Sequence, residues 1–231
     1  GGMSWESTIL YYQLINEGVR ERLGGLHSAP IIMHSVDFAE IEAYQVTGQW
    51  QRAGEKLAAA AAGLEQAGAE MVLICTNLMH KVAPVIETRI AVPLLHIADA
   101  AGREIKQRGL HKVGLLGARY TMEEDFYRQR LAERFGIEAV IPTPKERESI
   151  HRVIFEELCR GVITDSSRRS YLAVIENLRA RGAEGVILGC TEIPLLVKPE
   201  DTDLPLFNTT ALHAGLALEC CFGELDRVAA G

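Results

Sequence analysis

Gly182-Ala183-Glu184-Gly185-Val186-Ile187-Leu188-Gly189-Cys190 and Gly68-Ala69-Glu70-Met71-Val72-Leu73-Ile74-Cys75-Thr76 are two versions of one phrase, aligned without a gap at an offset of 114 residues. Each opens on the glycine that closes a helix and continues as a short apolar run. Each ends on a small polar or nucleophilic residue. That is the grammar of a helix returning to a buried strand of a parallel sheet. The helices in front of the two runs match as well, at Leu64 and Leu178.

Two further pairs keep the order. Gly2-Met3-Ser4-Trp5-Glu6 up to Tyr12 matches Gly117-Ala118-Arg119-Tyr120-Thr121 up to Tyr127 at offset 115, and Val92-Pro93-Leu94-Leu95 matches Leu204-Pro205-Leu206-Phe207 at offset 112. Three matches in order imply two similar halves of about 115 residues, within the usual size range of a domain. The expected division is 1–96 plus 209–231 for the first domain and 97–208 for the second. In the second half the run Val113–Leu116 precedes Gly117, whereas its counterpart would precede Gly1. A strand of about six residues, a common strand length, is therefore expected upstream of Gly1.

Outward from these anchors, short apolar runs alternate with longer amphipathic ones. Strands are expected at Ile31–Ser35, Met71–Cys75, Leu94–His96, Val113–Leu116, Ala139–Ile141, Val186–Gly189 and Leu206–Asn208. Helices are expected near 6–22, 50–67, 98–108, 122–134, 147–159, 165–181 and 210–222. Strands separated by helices imply right-handed βαβ units, so the fold class is α/β with two similar parallel-sheet domains.

Composition narrows the function. The chain has 231 residues, 48% of them hydrophobic, and a formal net charge of −7. An acidic balance does not suit a nucleic-acid surface, which relies on clustered Lys and Arg. The longest apolar stretch, Leu57–Leu64, is far short of the roughly 20 residues a spanning helix needs. No secretory signal pattern opens the chain, so the expected setting is the cytoplasm, with no membrane partner. The five cysteines, Cys75, Cys159, Cys190, Cys220 and Cys221, form no CxxC pair, which argues against a disulfide framework or a zinc site. The histidines show no metal-ligand spacing, and no metal is expected. Without GxGxxG or GKS, the Gly1-Gly2 start is a weak nucleotide signal. His80 and His96 suit either a pocket or a hydrogen-bonded core. Cys220-Cys221 reads as core, and Tyr11, Tyr12, Phe126 and Tyr127 as helix-to-sheet packing. Arg168-Arg169 and Glu123-Glu124 read as solvated helix faces.

Ligands of open parallel sheets bind at the carboxyl ends of the strands. The loops Cys75-Thr76-Asn77-Leu78-Met79-His80 and Gly189-Cys190-Thr191-Glu192-Ile193-Pro194 end strands at equivalent places. A thiol there meets backbone N–H groups and the positive end of a helix, which should lower its pKa, while the amides and hydroxyls suit a carboxylate. Facing halves would set two such loops across one cleft, which suits removing a proton from one face of a carbon and returning one to the other.

The segments GGMSWEST (1–8), CTNLMHKVA (75–83), LLHIADA (94–100), GLLGARYTMEEDFY (114–127) and LGCTEIPLL (188–196) resemble the cofactor-independent aspartate/glutamate racemase superfamily, in particular its aspartate and broad amino-acid racemase branch. The resemblance covers essentially the whole chain. It implies two flavodoxin-like domains related by a pseudo-twofold, one active site between them, a two-base mechanism without pyridoxal phosphate or any other cofactor, and often a dimer.

The two loops then differ in an instructive way. The ungapped repeat and the family register both place Thr76, not Cys75, opposite Cys190, although a one-residue slip would pair Cys75 with it. A hydroxyl is a weaker base than a thiolate, so the two faces are expected to be unequal. The expected catalytic pair is Cys190 and Thr76. The resemblance further assigns Asn77 and Thr191 to the substrate amino and carboxylate groups, Met3 to backbone contacts and Gln45 to a side-chain contact. It also brings Leu78 to the substrate site, and the repeat position turns Thr121 to the same cleft; Glu192 suits either orienting the substrate ammonium or Cys190, or a solvated acid at a helix start. Leu78 and Ala118 stand where relatives commonly have threonine, which makes the pocket more apolar. Arg160 is the nearest cation to a position where some relatives hold a distal carboxylate with lysine. The expected activity is racemisation at Cα of a small amino acid. The alternatives are a decarboxylase, hydantoin racemase or maleate-type isomerase of the same superfamily, and a non-catalytic two-lobed binding protein.

Overall fold

A computed structural model describes residues 3–224. The chain divides into two compact units, one of residues 1–100 with 213–231 and one of residues 101–212.

In the first unit, α1 (Trp5–Leu23) starts at Ser4, whose hydroxyl accepts the N–H of Ser7. Then come α2 (Phe38–Val46), α3 (Trp50–Gln66), β1 (Val72–Leu73), a 3-10 turn (Leu78–Val82), α4 (Ala83–Glu87) and β2 (Leu94–Leu95). β1 and β2 pair in parallel, Val72 with Leu94 and Leu73 with Leu95. Buried Ala53, Leu57, Ala58 and Ala61 form one stripe of α3, at the spacing of a helix face. That stripe belongs to the core that also contains Ile41, Val72, Ile74, Met79, Val82 and Ile86.

In the second unit, β3 (Lys112–Gly117) is followed by α6 (Arg119–Glu123), α7 (Asp125–Phe135), β4 (Glu138–Val140), α8 (Pro144–Glu156), α9 (Asp165–Ala180), β5 (Val186–Gly189), α10 (Ile193–Leu196) and β6 (Leu206–Asn208). The unit boundary falls within α5 (Ile97–Gln107) and within α11 (Thr209–Cys221). The sheet order is β4-β3-β5-β6, all parallel, with Gly114 opposite Val186 and Gly117 opposite Gly189. β3 and β5 are buried through almost their whole length, as strands covered on both faces must be. Tyr171, Val174, Ile175 and Leu178 of α9 pack into the core with Leu116, Val186 and Leu188. The carboxylate of Glu184 accepts the N–H groups of His111 and Lys112 at 2.8 and 2.9 Å, closing the start of β3.

The α/β class with parallel sheets is as the sequence implies. The strand at Ile31–Ser35 is not formed: residues 28–36 carry no regular structure, and Ile31, Ile32 and Met33 are exposed. A strand exists only by pairing, and nothing among the described residues pairs with this run. The expected strand Met71–Cys75 shortens to Val72–Leu73, and the helix near 122–134 is broken at Glu124, which is extended at ψ 153°. Helix α2 escaped the sequence reading because only Ile41 of its nine residues is buried, leaving little apolar period to detect. Cys220 is core, but Cys221 is exposed, and Tyr12 is exposed as well. Glu123 is not merely solvated, since it pairs with Arg147 at 2.9 Å, and Arg168 donates to the carbonyl of Leu196. The strand expected upstream of Gly1, and the Gly1-Gly2 start, lie outside the described residues. No helix among the described residues is long and apolar enough to cross a membrane.

Candidate functional site

Each unit carries one strand-end loop with chemistry in it. In the second unit, Cys190 follows β5 directly and is partly buried. Its Sγ donates to Oε2 of Glu192 at 2.9 Å. Thr191 and Glu192 lead into α10, a helix of four residues. Burial, and then the Glu192 carboxylate, push the Cys190 thiol well above its ordinary value. This corrects the expectation of a thiol lowered toward the thiolate. A four-residue helix offers a weak dipole, and an adjacent carboxylate opposes a second negative charge. Cys190 therefore rests as a thiol with a proton acceptor in contact.

Thr121 lies 1% exposed in α6, over the paired strand ends. A Cβ added at Gly117 would fall 3.3 Å from Thr121 Cβ and 3.0 Å from the carbonyl oxygen of Gly189. The two glycines thus let β3 and β5 end close together beneath Thr121. Arg160 is exposed in a 3-10 turn, and Cys159 beside it is exposed too.

In the first unit, Cys75 is buried with Tyr11 and Ala214, and burial raises its thiol pKa. Thr76 is more open than Cys75. Asn77 is buried, and Leu78 opens the 3-10 turn. Met3 belongs to the core with Ile41 and Met79, so the side chain is structural. Gln45 lies on α2 and donates from Nε2 to Met79 Sδ at 3.0 Å. Met79 thereby links Gln45 to the Thr76–His80 loop. Met3, Gln45, Thr76, Asn77 and Leu78 thus lie in the first unit, and Thr121, Cys190, Thr191 and Glu192 in the second.

The sequence reading left His80 and His96 between pocket and core, and missed what His80 does. Its Nε2 accepts the N–H of Ile97 at 3.2 Å, which leaves the proton on Nδ1 to be donated to the carbonyl of Thr76 at 2.8 Å. The ring therefore anchors the backbone of the candidate catalytic loop. His96 lies tilted and His213 edge-on against it, with ring centroids 4.5 and 5.5 Å away. A backbone carbonyl as partner leaves no signal in the sequence.

The family model described as Asp/Glu/hydantoin racemase matches residues 1–217. A solved structure from Yersinia pestis, provisionally described as an Asp/Glu racemase, is 55% identical, with 96% of each chain covered and a TM-score of 0.92. An aspartate racemase homologue from Pyrococcus horikoshii OT3 is 37% identical, again with 96% of each chain covered, at a TM-score of 0.85. A glutamate racemase from a Synechococcus strain is 26% identical over 142 residues, 58% of this chain; the match spans 47% of that protein's length.

Proposed function

The chain belongs to the Asp/Glu/hydantoin racemase family, and we propose that it racemises a small free amino acid at Cα by exchanging protons with Cys190 and Thr76, without a cofactor. The observation that carries this reading is the 2.9 Å hydrogen bond from Cys190 Sγ to Glu192. A thiol held against a carboxylate can work in either direction. With its proton transferred to Glu192, the sulfur is a thiolate that removes Hα. With its proton retained, it is the acid that delivers a proton to the carbanion.

In the first direction, Cys190 takes Hα as the C–H electron pair delocalises into the α-carboxylate. The Thr76 hydroxyl gives its proton to the opposite face while taking one from water, and the proton held by Glu192 passes through solvent to the hydroxide left behind, so the carboxylate is restored and no net charge remains. In the reverse direction, Thr76 passes Hα toward solvent and the Cys190 thiol reprotonates Cα. Asn77, Thr191 and the backbone at Met3 hold the α-carboxylate and ammonium, and fixed N–H and O–H dipoles favour the enolate charge as it develops. Leu78 and Ala118, in place of hydroxyl residues, favour a less polar substrate side chain than aspartate or glutamate require.

The test is Hα-to-deuterium exchange in deuterium oxide with aspartate, glutamate, alanine, methionine and a 5-substituted hydantoin. Exchange with one or more free amino acids supports the reading. Exchange confined to the hydantoin, or with none of them, contradicts it.

A further inference from the structure

The short helix α6 lies over the ends of β3 and β5, and α8 holds it at both of its own ends. At its last residue, the Glu123 carboxylate accepts from Nε of Arg147 at 2.9 Å. At its first residue, the backbone N–H of Arg119 donates to Nδ1 of His151 at 3.3 Å. Residues 147 and 151 are one turn apart on α8, and 119 and 123 one turn apart on α6, so the two contacts form an antiparallel clamp. We propose that His151 is a positioning residue for Cys190: it supplies from α8 the acceptor that the start of α6 lacks, and so fixes Thr121 against the strand end that leads into Cys190.

The repeat shows why an outside acceptor is needed. The first N–H groups of a helix have no partner within it. In the first unit, α1 starts at Ser4, whose hydroxyl accepts the N–H of Ser7. In the second, the corresponding loop runs Gly117-Ala118-Arg119, and the capping position falls on Ala118, whose methyl accepts nothing. The His151 ring takes over that role. From there the path to Cys190 is short. Buried Thr121 has its Cγ2 3.5 Å from where a Cβ on Gly189 would stand, and its Cβ 3.3 Å from the same point on Gly117. Gly189 is the residue before Cys190, so a slack α6 would loosen the packing over the base of the thiol's loop.

Acceptance at Nδ1 requires a neutral ring with its proton on Nε2. Protonation would turn Nδ1 into a second donor aimed at the Arg119 N–H and set an imidazolium beside the Arg119 guanidinium. The charged groups facing the ring are Arg119 and Glu123, both on α6. Arg147, one turn away on α8, is taken up by Glu123 and by the carbonyl of Pro142, and the Phe155 ring lies 4.7 Å from the imidazole between centroids. β3 and α9 meet the buried face of α8 at Ile150, Val153 and Ile154, where the Tyr171 hydroxyl of α9 donates to the carbonyl of Ile150. The 3-10 turn with Cys159 and Arg160 follows the far end of α8, about two turns from His151. Burial, then Arg119, lower the pKa of His151 from 6.5, against the smaller pull of Glu123. The clamp is therefore whole above pH 6.5 and opens as pH falls below it.

The kinetic part of the test rests on the racemase reading, and the structural part does not. Nitrogen-15 NMR of wild-type His151 should show the proton of the neutral ring on Nε2 and titration below pH 6.5. Deuterium exchange of the Arg119 amide should be ~10-fold slower in the wild type and in His151→Asn, which keeps an acceptor, than in His151→Leu. In turnover above pH 6.5, His151→Leu should lose ~10-fold in kcat with KM changed less, and His151→Asn should recover most of it. Asn does not titrate, so the acid limb of kcat should move to lower pH in that variant. A neutral ring protonated on Nδ1, equal protection of the Arg119 amide in all three proteins, wild-type kcat in His151→Leu, or an unmoved acid limb in His151→Asn overturns the proposal. The tautomer is read on the wild type and decides even where the Leu variant is unstable. If none of the proteins turns over an amino acid, the racemase reading fails, and the tautomer and the Arg119 amide still decide the clamp.

Discussion

The hydroxyl of Tyr11 donates to Nδ1 of His213 across 2.8 Å, tying α1 to α11, while His213 Nε2 donates to the carbonyl of Leu95 at 2.8 Å. Both ring nitrogens are thus committed in the neutral form, and the residue is fully buried. Burial, then the neighbouring His80, lower its pKa from 6.5 to about 3. The unfolded chain binds this proton first as pH falls. The contribution of His213 to stability is therefore whole above pH 6.5 and is lost as pH drops toward 3. Its size is on the order of 5 kcal/mol. Urea unfolding at intervals from pH 7 to 4 should show this slope, and His213→Gln should be less stable at pH 7 but flatter with pH.

Removing the charge beside Cys190 should lower the pKa of its thiol. In Glu192→Gln, burial remains but the repelling carboxylate is gone, so the pH profile of Cys190 alkylation by iodoacetamide should move to lower pH. Turnover should nonetheless fall by about 100-fold, because the proton acceptor is lost. In the wild type, the raised thiol leaves stability unaffected below pH 9.0 and erodes it as pH rises above that value.

His80 holds the backbone carbonyl of Thr76 through its Nδ1 proton. His80→Phe removes the donor to the Thr76 carbonyl in a buried setting and should cost about 1–3 kcal/mol of stability. His80→Gln retains a donor and should recover part of both stability and turnover. If the role is positioning, kcat should fall by ~10-fold or more in the Phe variant with KM changed less. Thermal unfolding and steady-state kinetics of the pair distinguish this from simple destabilisation.

Gly189 admits no side chain. A Cβ there would lie 2.9 Å from the carbonyl oxygen of Leu116, a backbone atom that cannot swing aside. Gly189→Ala should cost about 2 kcal/mol or more and displace the adjoining Cys190 loop. A denaturant midpoint unchanged from wild type would show that β3 and β5 can separate at little cost.

These sites differ in how far sequence pattern reveals them. Val186–Gly189 and the α9 stripe Tyr171–Leu178 were legible because burial on a repeating period leaves a mark in composition. Ile31–Met33 was misread for a related reason: its residues favour a strand, but pairing is a property of the neighbour. The thiol of Cys190 was placed correctly at a strand end, yet the direction of its pKa depended on a contact to Glu192 and on the brevity of α10. Neither follows from residue type. The His80 anchor was hidden because the identity of its partner, a backbone carbonyl, carries no sequence signature.

The central claim is that Cys190 and Thr76 serve opposite faces of Cα. Hα-to-deuterium exchange, followed separately for the L and D enantiomers of the accepted substrate, tests it in Cys190→Ala, Thr76→Ala and Cys75→Ala. The account predicts that Cys190→Ala loses washout of one enantiomer, Thr76→Ala loses it for the other, and Cys75→Ala keeps both. Full exchange in Cys190→Ala, or loss of exchange in Cys75→Ala with Thr76→Ala unaffected, would contradict it.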